Sequence, residues 1–320
     1  MASYLKSSDL ITSIKRRGAL PDSDNAFSDN DYLALANEEI QLAVVPHILS
    51  YQEEYFVTSE TVDLEDNKSR YAIPERAIGN KLRDIYYIDT DENLKEMHRI
   101  NPQNRTYFDG LGQTTSNTPF CYYIENNDVV TVPDIGTSVT GSIRMYYYLR
   151  PNQLVPDEEV AVITAINTSG SNKVYTVDAV PTTFSTSETF DLLQTKSGHK
   201  TYSMDLTSSA IDTSALTLTF LTADVSSDVV VGDYIALASE CNIPQIPGEL
   251  HPLLSERVVA RCLEAIGDRE GLGAANAKIA EMENKSAPVI DNRVEGNPLK
   301  INNVGGLLHQ GKLYRYGRGK

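Results

Sequence analysis

The sequence predicts an α+β protein: N- and C-terminal helices form one α-helical bundle, a large antiparallel β-rich insertion lies between them, and an extended C-terminal tail follows. Three observations carry this. Apolar residues recur at helical spacing near the start and again from Leu253, they alternate with polar residues through most of the chain between, and beyond Pro288 neither period persists. A chain of 320 residues suits one large domain or two.

Leu10, Ile11 and Ile14 predict a first helix, and Ser28 or Asp29 can cap a second over Asp31 to Tyr51. In that second run Leu33, Leu35, Ala36, Ile40, Val44, Ile48 and Leu49 track one face, and Pro46, which has no N–H to donate, predicts a kink. Gly18 to Ser28 is rich in turn-forming residues and reads as the loop between them.

From Tyr55 the period changes to two. Tyr55 to Leu64, Tyr71 to Ile73, Leu82 to Ile88, Phe120 to Ile124, Val129 to Val132 and Ser142 to Leu149 predict strands of a β-meander, with Asn126-Asn127 as a hairpin turn. Tyrosine is abundant, 18 against 7 Phe and no Trp, and Tyr146-Tyr147-Tyr148 places rings on both faces of one strand, as an interface would use. A second stretch, Val155 to Glu240, is dense in Ser and Thr. Its runs Val160 to Ile166, Val174 to Val177, Leu216 to Leu221 and Tyr234 to Leu237 suggest a small barrel or sandwich, with Gly232-Asp233 turning into the last.

Helical spacing returns after Pro244 to Pro252. Leu253, Leu254, Val258, Val259, Cys262, Leu263 and Ile266 make an apolar stripe that Gly267 ends, and a further helix fits Leu272 to Asn284. The expected division is 1–54 and 243–290 for the bundle helices, 55–154 for the meander, 155–242 for the barrel or sandwich, and 291–320 for the tail.

The net charge of −16 argues against a surface that captures nucleic acid by neutralising phosphates. The charge is unevenly placed: Gly296 to Lys320 carries Lys300, Lys312, Arg315, Arg318 and Lys320 and no acid. An acidic body carries a basic tail. Three distant cysteines, Cys121, Cys241 and Cys262, suggest neither a disulfide framework nor a zinc site. No apolar run is long enough to span a bilayer, and Met1 to Arg17 lacks the pattern of a secretory signal, so the chain is expected to work inside a cell.

Chemistry has little local support. The sequence holds no phosphate-binding Gly-x4-Gly-Lys loop, no Gly-x-Ser-x-Gly elbow and no His-Glu-x-x-His pair. Carboxylates such as Asp128, Asp134, Glu158 and Glu159 could pair as in a glycosidase, but charged residues between strands are ordinarily solvated turn residues. His251 could bind a ligand, though its place beside Pro252 fits a capping or interfacial role. Glu256, Arg257, Arg261 and Glu264 stand at helical spacings of three and four, as either a solvated ion-paired face or a subunit contact. In the tail, Leu299, Ile301, Leu307, Leu308, Leu313, Tyr314 and Tyr316 are spread through a glycine-rich segment that gains burial only against another surface.

Four segments together resemble the head-to-tail adaptor, or connector, proteins of tailed bacteriophages. They are Ile11-Thr-Ser-Ile-Lys-Arg-Arg-Gly18 with Phe27-Ser-Asp-Asn-Asp-Tyr-Leu33; Tyr71 to Asp84; Leu250-His-Pro-Leu-Leu254 through Cys262 to Asp268; and the basic tail. The resemblance implies a non-enzymatic virion protein at the head-tail junction, made in the cytoplasm of the infected bacterium, with no cofactor, metal or membrane. It implies a ring of about twelve copies under the portal, with a tail or nozzle protein below and packaged DNA passing through the lumen without sequence-specific binding. Carried onto this chain, Leu307, Leu308, Lys312, Tyr314, Arg315, Tyr316 and Arg318 would contact the portal protein, and Leu253 to Ile266 would stand in the ring wall, with Glu256, Arg257, Arg261 and Glu264 as subunit contacts. The alternatives are another virion component, such as a tail, baseplate or fibre-like subunit, and a carbohydrate-active enzyme built on the β-region.

Overall fold

The computed structural model describes residues 6–19, 26–110, 115–116, 118–195 and 200–291. The architecture is mixed α and β, and three main hydrophobic clusters organise it, one built mostly by helices and two by sheets. A fourth, smaller cluster backs one of the sheets.

Helix α1 (Ser7–Arg17) buries Leu10, Ile11 and Ile14. Helix α2 (Asp29–Glu39) begins at Ser28, whose hydroxyl accepts from the Asp31 N–H while the Asp31 carboxylate accepts from the Ser28 N–H, a reciprocal capping box. The expected kink at Pro46 takes a defined form. Ile40–Val44 widens into a π-turn, with the Val45 N–H donating to the Ile40 carbonyl, and α3 (Val45–Tyr51) resumes with Pro46 in its first turn, where no N–H is needed. The run from Tyr55 does not start as a strand: Glu53–Phe56 is a 3₁₀ turn that buries Phe56, and the strand begins at Val57.

The next strands are β1 (Val57–Asp63), β2 (Arg70–Ala72), β3 (Ala77–Ile88), β4 (Leu94–Glu96) and β5 (His98–Arg99). A short helix, α4 (Arg105–Gly110), leads to β6 (Thr115–Ser116), β7 (Cys121–Glu125), β8 (Asp128–Val132), β9 (Asp134–Ile135) and β10 (Ser142–Leu149). They do not follow one another across one sheet as a meander would. One sheet runs β1-β10-β3-β4 and another β2-β8-β7-β5, and their inner faces share a core of Ile85, Tyr87, Ile143, Met145 and Tyr147 against Tyr71, Tyr122 and Val129. Alternation reveals which residues turn inward, not which strand covers them. The β7–β8 hairpin turns at Asn126-Asn127 as expected, with Asn126 in the left-handed region at φ 56°.

The chain continues through β11 (Gln153–Leu154), β12 (Ala161–Ser169), β13 (Asn172–Val177), β14 (Thr189–Leu193), β15 (Thr201–Thr207), β16 (Ala210–Asp212), β17 (Thr217–Leu221), β18 (Tyr234–Leu237) and β19 (Glu240–Cys241). Seven of these form one sheet in the order β15-β14-β18-β12-β13-β17-β16. Strand β12 pairs with β18 through its first residues and with β13 from Ile163 on, past a bulge between Ile163 and Ala165, so it serves both halves of a bent sheet. The outermost strands, β15 and β16, are joined directly through Ser208-Ser209. The link brings one end of each edge strand together, and the sheet bends around Phe190, Phe220, Tyr175, Leu192 and Ile235.

Helix α5 (His251–Ile266) ends at Gly267, left-handed at φ 85°, whose N–H returns to the Leu263 and Glu264 carbonyls. Helix α6 (Arg269–Ile290) starts at Asp268, whose carboxylate accepts from the Gly271 N–H, and outruns the expected end at Asn284, with Pro288 in its last turn. Leu253, Leu254, Val258, Val259 and Cys262 of α5 share one cluster with Leu10, Ile14, Leu33, Ile40 and Ile48 from the chain's start. Leu254 is wholly buried, so truncating it to Ala would cost about 3 kcal/mol. Residues 292–320 lie outside the described residues, and so do the portal contacts expected there.

Candidate assembly surfaces

Two buried carboxylates brace the helical cluster. Glu39, at the end of α2, accepts from Arg261 at 2.6 Å and Arg257 at 3.3 Å; Glu256 on α5 accepts from Lys278 of α6 at 2.7 Å and Arg17 of α1 at 3.2 Å. Arg257 also pairs with Glu283 of α6. Each carboxylate thus meets two cations, both from α5 for Glu39 and from α1 and α6 for Glu256, which offsets the cost of taking it out of water. The Glu39 hydrogen bond is also the main reason that the Arg261 pKa stands above its ordinary value.

The four residues read from helical spacing divide accordingly. Glu256 and Arg257 are committed within the chain; Arg261 is tied to Glu39 as well but keeps a side chain 47% exposed, and it pairs at 3.4 Å with Glu264, whose side chain is 60% exposed. These last two line a shallow groove between α2, α5 and α6, of about 320 Å³, whose rim carries the exposed side chain of Leu42. His251 is buried in the first turn of α5, where its carbonyl accepts from the Ser255 hydroxyl.

A second site lies where three parts of the chain meet, and spacing gave no hint of it. Asp191 on β14 is fully buried and accepts five hydrogen bonds: from Arg76 Nη1 at 2.7 Å and Nη2 at 2.9 Å, from Asn152 Nδ2 at 2.8 Å, and from the Asp205 and Ser239 N–H groups at 3.1 Å each. Arg76 comes from the β2–β3 connection and turns its other edge to Asp205 at 2.7 Å. The register shift between Phe190 and Leu192 opposite β15, with Asp205 left-handed at φ 55°, brings both acids to one guanidinium. One signal for this stood in the sequence: an acid inside the apolar run Phe190-Asp191-Leu192-Leu193 must have a partner if the run is buried.

Beside this joint opens a cleft of about 850 Å³, lined among others by Glu60, Glu75, Arg76, Tyr147, Arg150 and Asp205. Burial, and then the charge of Asp205, raises the Glu60 carboxyl pKa. Burial also pushes the Tyr147 phenol up to about 12, helped by Glu60.

Of the carboxylates that a glycosidase could use, Asp134 is held by Arg105 at 2.5 Å, Asp128 closes the β7–β8 hairpin, and Glu158 and Glu159 are neighbours in one 3₁₀ turn. Among the described residues no group of three or more His, Cys, Asp or Glu is placed to hold a metal ion, and no helix is long and apolar enough to cross a membrane.

What decides the family is the match of residues 6–177, more than half of the chain, to the family model of the SU10 adaptor protein. The chain belongs to the SU10 adaptor family. It is a phage structural adaptor, of a kind that joins head and tail components of the virion. The matched span runs from α1 through β13 and includes Glu39 and Arg76, while their partners Arg261 and Asp191 lie beyond it. No curated protein matches the chain.

Proposed function

We propose that the chain assembles as a ring of about twelve copies between portal and tail, the arrangement that head-to-tail adaptors use. Membership of the adaptor family across α1 to β13 is the observation that carries this reading. The helices of residues 1–54 and 243–290 form the body of each subunit, with α5 in the ring wall. Arg261 and Glu264 are exposed enough to reach a neighbouring copy, while Glu256 and Arg257 hold the wall rigid from within. The β-units of residues 55–154 and 155–242 are available to virion components outside the helical body, including a tail or nozzle protein below. Residues 291–320 supply the portal contact through Leu307, Leu308, Lys312, Tyr314, Arg315, Tyr316 and Arg318. The acidic composition of the body suits a channel past which DNA must slide without being held, because few phosphates would be neutralised there.

Cryo-electron microscopy of the protein mixed with its phage's portal, beside a chain ending at Asn297, tests this. A ring on the portal with the full chain and none with the shortened one is the expected result. Absence of binding by either sinks the adaptor ring and moves the role elsewhere in the virion.

A further inference from the structure

We propose that the cleft beside the Arg76–Asp191 joint is a docking site for the chain's own basic C-terminal segment, residues 312–318, in the unassembled subunit. The contact goes beyond the adaptor reading and needs no portal.

Tyr147 lines the cleft, and its hydroxyl makes no hydrogen bond to another described residue. Glu60 on the same wall makes no ion pair among the described residues, and Arg76 is already shared between Asp191 and Asp205. The wall therefore offers unspent acceptors in Glu60 and Glu75, a donor in Tyr147, and apolar surface from Ile73, Pro74, Pro151 and Met204. It suits an extended peptide that brings cations and rings together.

Residues 312–318 read Lys-Leu-Tyr-Arg-Tyr-Gly-Arg. Two of the three cations match Glu60 and Glu75, which outnumber Arg150 among the lining charges that lack an ion pair with another described residue; the rings of Tyr314 and Tyr316 can lie on the prolines and Met204, and a tail carbonyl can accept from Tyr147. Length is no obstacle. From the end of α6 at Ile290 to Lys312 the extended chain reaches roughly 70 Å, against roughly 50 Å for the diameter of a protein of this size. A tether of this kind supplies an effective concentration of roughly 1 mM, so an intrinsic Kd of roughly 100 μM already leaves about nine subunits in ten docked.

Trypsin cleavage after Lys312, Arg315 and Arg318 in the full chain, followed by mass spectrometry and compared with a free peptide of residues 299–320, tests the docking. Protection of roughly tenfold is expected for the chain. Glu60→Lys, at an exposed position, should bring the rate to within roughly twofold of the free peptide, and Tyr147→Phe should raise it by roughly threefold, with circular dichroism unchanged in both. Cleavage of the chain as fast as the peptide overturns the proposal, as does protection that both variants leave intact. Protection that fades on dilution would mean that the tail of a second copy fills the cleft, which overturns docking within one chain. Because the portal is absent from every arm, these outcomes are separate from success or failure of the ring experiment.

Discussion

Replacing Asp191 by Asn tests whether the joint between the two β-units is a main source of stability. The carboxylate takes five donated hydrogen bonds at full burial. Asparagine keeps one oxygen and turns an NH₂ toward the donors that the other oxygen served. In the less damaging orientation the amide replaces Oδ1, so that Arg76 Nη2 and the Asp205 N–H lose their acceptor while Arg76 loses its buried counter-charge. Two lost bonds, one of them to a charged group, together with an under-compensated guanidinium, amount to about 3–5 kcal/mol. Urea unfolding followed by circular dichroism measures the loss, and the double variant Asp191→Asn/Arg76→Met should recover part of it, by about 1–3 kcal/mol relative to the sum of the singles. A loss below about 1 kcal/mol, or strict additivity, would show that water satisfies the joint and that the buried network does not hold the units together.

Glu256→Gln should cost about 3 kcal/mol by the same unfolding assay, since it removes the buried charge that Arg17 and Lys278 share; a change within about 0.5 kcal/mol would contradict that. Gly141→Ala should be still worse tolerated for its size, by about 2–4 kcal/mol, because φ is 97° and a Cβ would sit 2.3 Å from the Ile88 carbonyl oxygen; a melting temperature unchanged from the parent refutes it. Asp89 is held down to about 2 by the Asn93 N–H and by Lys95, so its folded pKa lies below the unfolded one. Whatever it contributes is present above about pH 4 and fades as the pH falls toward 2. An NMR titration midpoint near 4 for its carboxyl would show that the turn does not hold it. All three cysteines are buried, and burial pushes Cys241 up to about 12 and Cys262 to about 11, so a disulfide reagent at pH 8 should react only as the protein unfolds.

Helices and the longer strands were legible because each announces itself locally. The capping box at Ser28, the stop at Gly267, the Asn126-Asn127 turn and the limits of β10 and β18 all depend on neighbours within a few residues. Strands β14 to β16 were not read, although Tyr202, Met204 and Leu206 alternate within β15, because Ser, Thr and Asp between them resemble loop composition. The division of β1 to β10 into two sheets was hidden for a different reason: period two fixes facing, and pairing order is settled by burial at long range. Charge behaved in the same way. Of the contacts made by Glu256, Arg257, Arg261 and Glu264, only Arg261 with Glu264 follows helical spacing, while Glu39 meets Arg261 across 222 residues and Arg17 meets Glu256 across 239.

Those separations bear on how an adaptor subunit reaches its assembling form. Alone, α1, α2 and α3 would leave Leu10, Ile14, Leu33, Ile40 and Ile48 with half a core, because Leu253, Leu254, Val258, Val259 and Cys262 complete it from the far end of the chain. The Ser7 N–H and hydroxyl likewise reach Asn242 and Val155, and Asn37 exchanges two hydrogen bonds with Leu154. The β-units close around clusters of their own that draw on neither terminal set of helices. Loop-closure entropy opposes joining the two ends first, and the loop it must close shortens once the intervening units have folded and drawn their ends together. Loop closure therefore favours an order from the β-units to the helical body, and the surface formed by α2, α5 and α6, with Leu42, Arg261 and Glu264 on it, needs both ends of the chain in place. If a neighbouring copy docks there, as proposed, it meets a surface that completed chains present and partial chains lack.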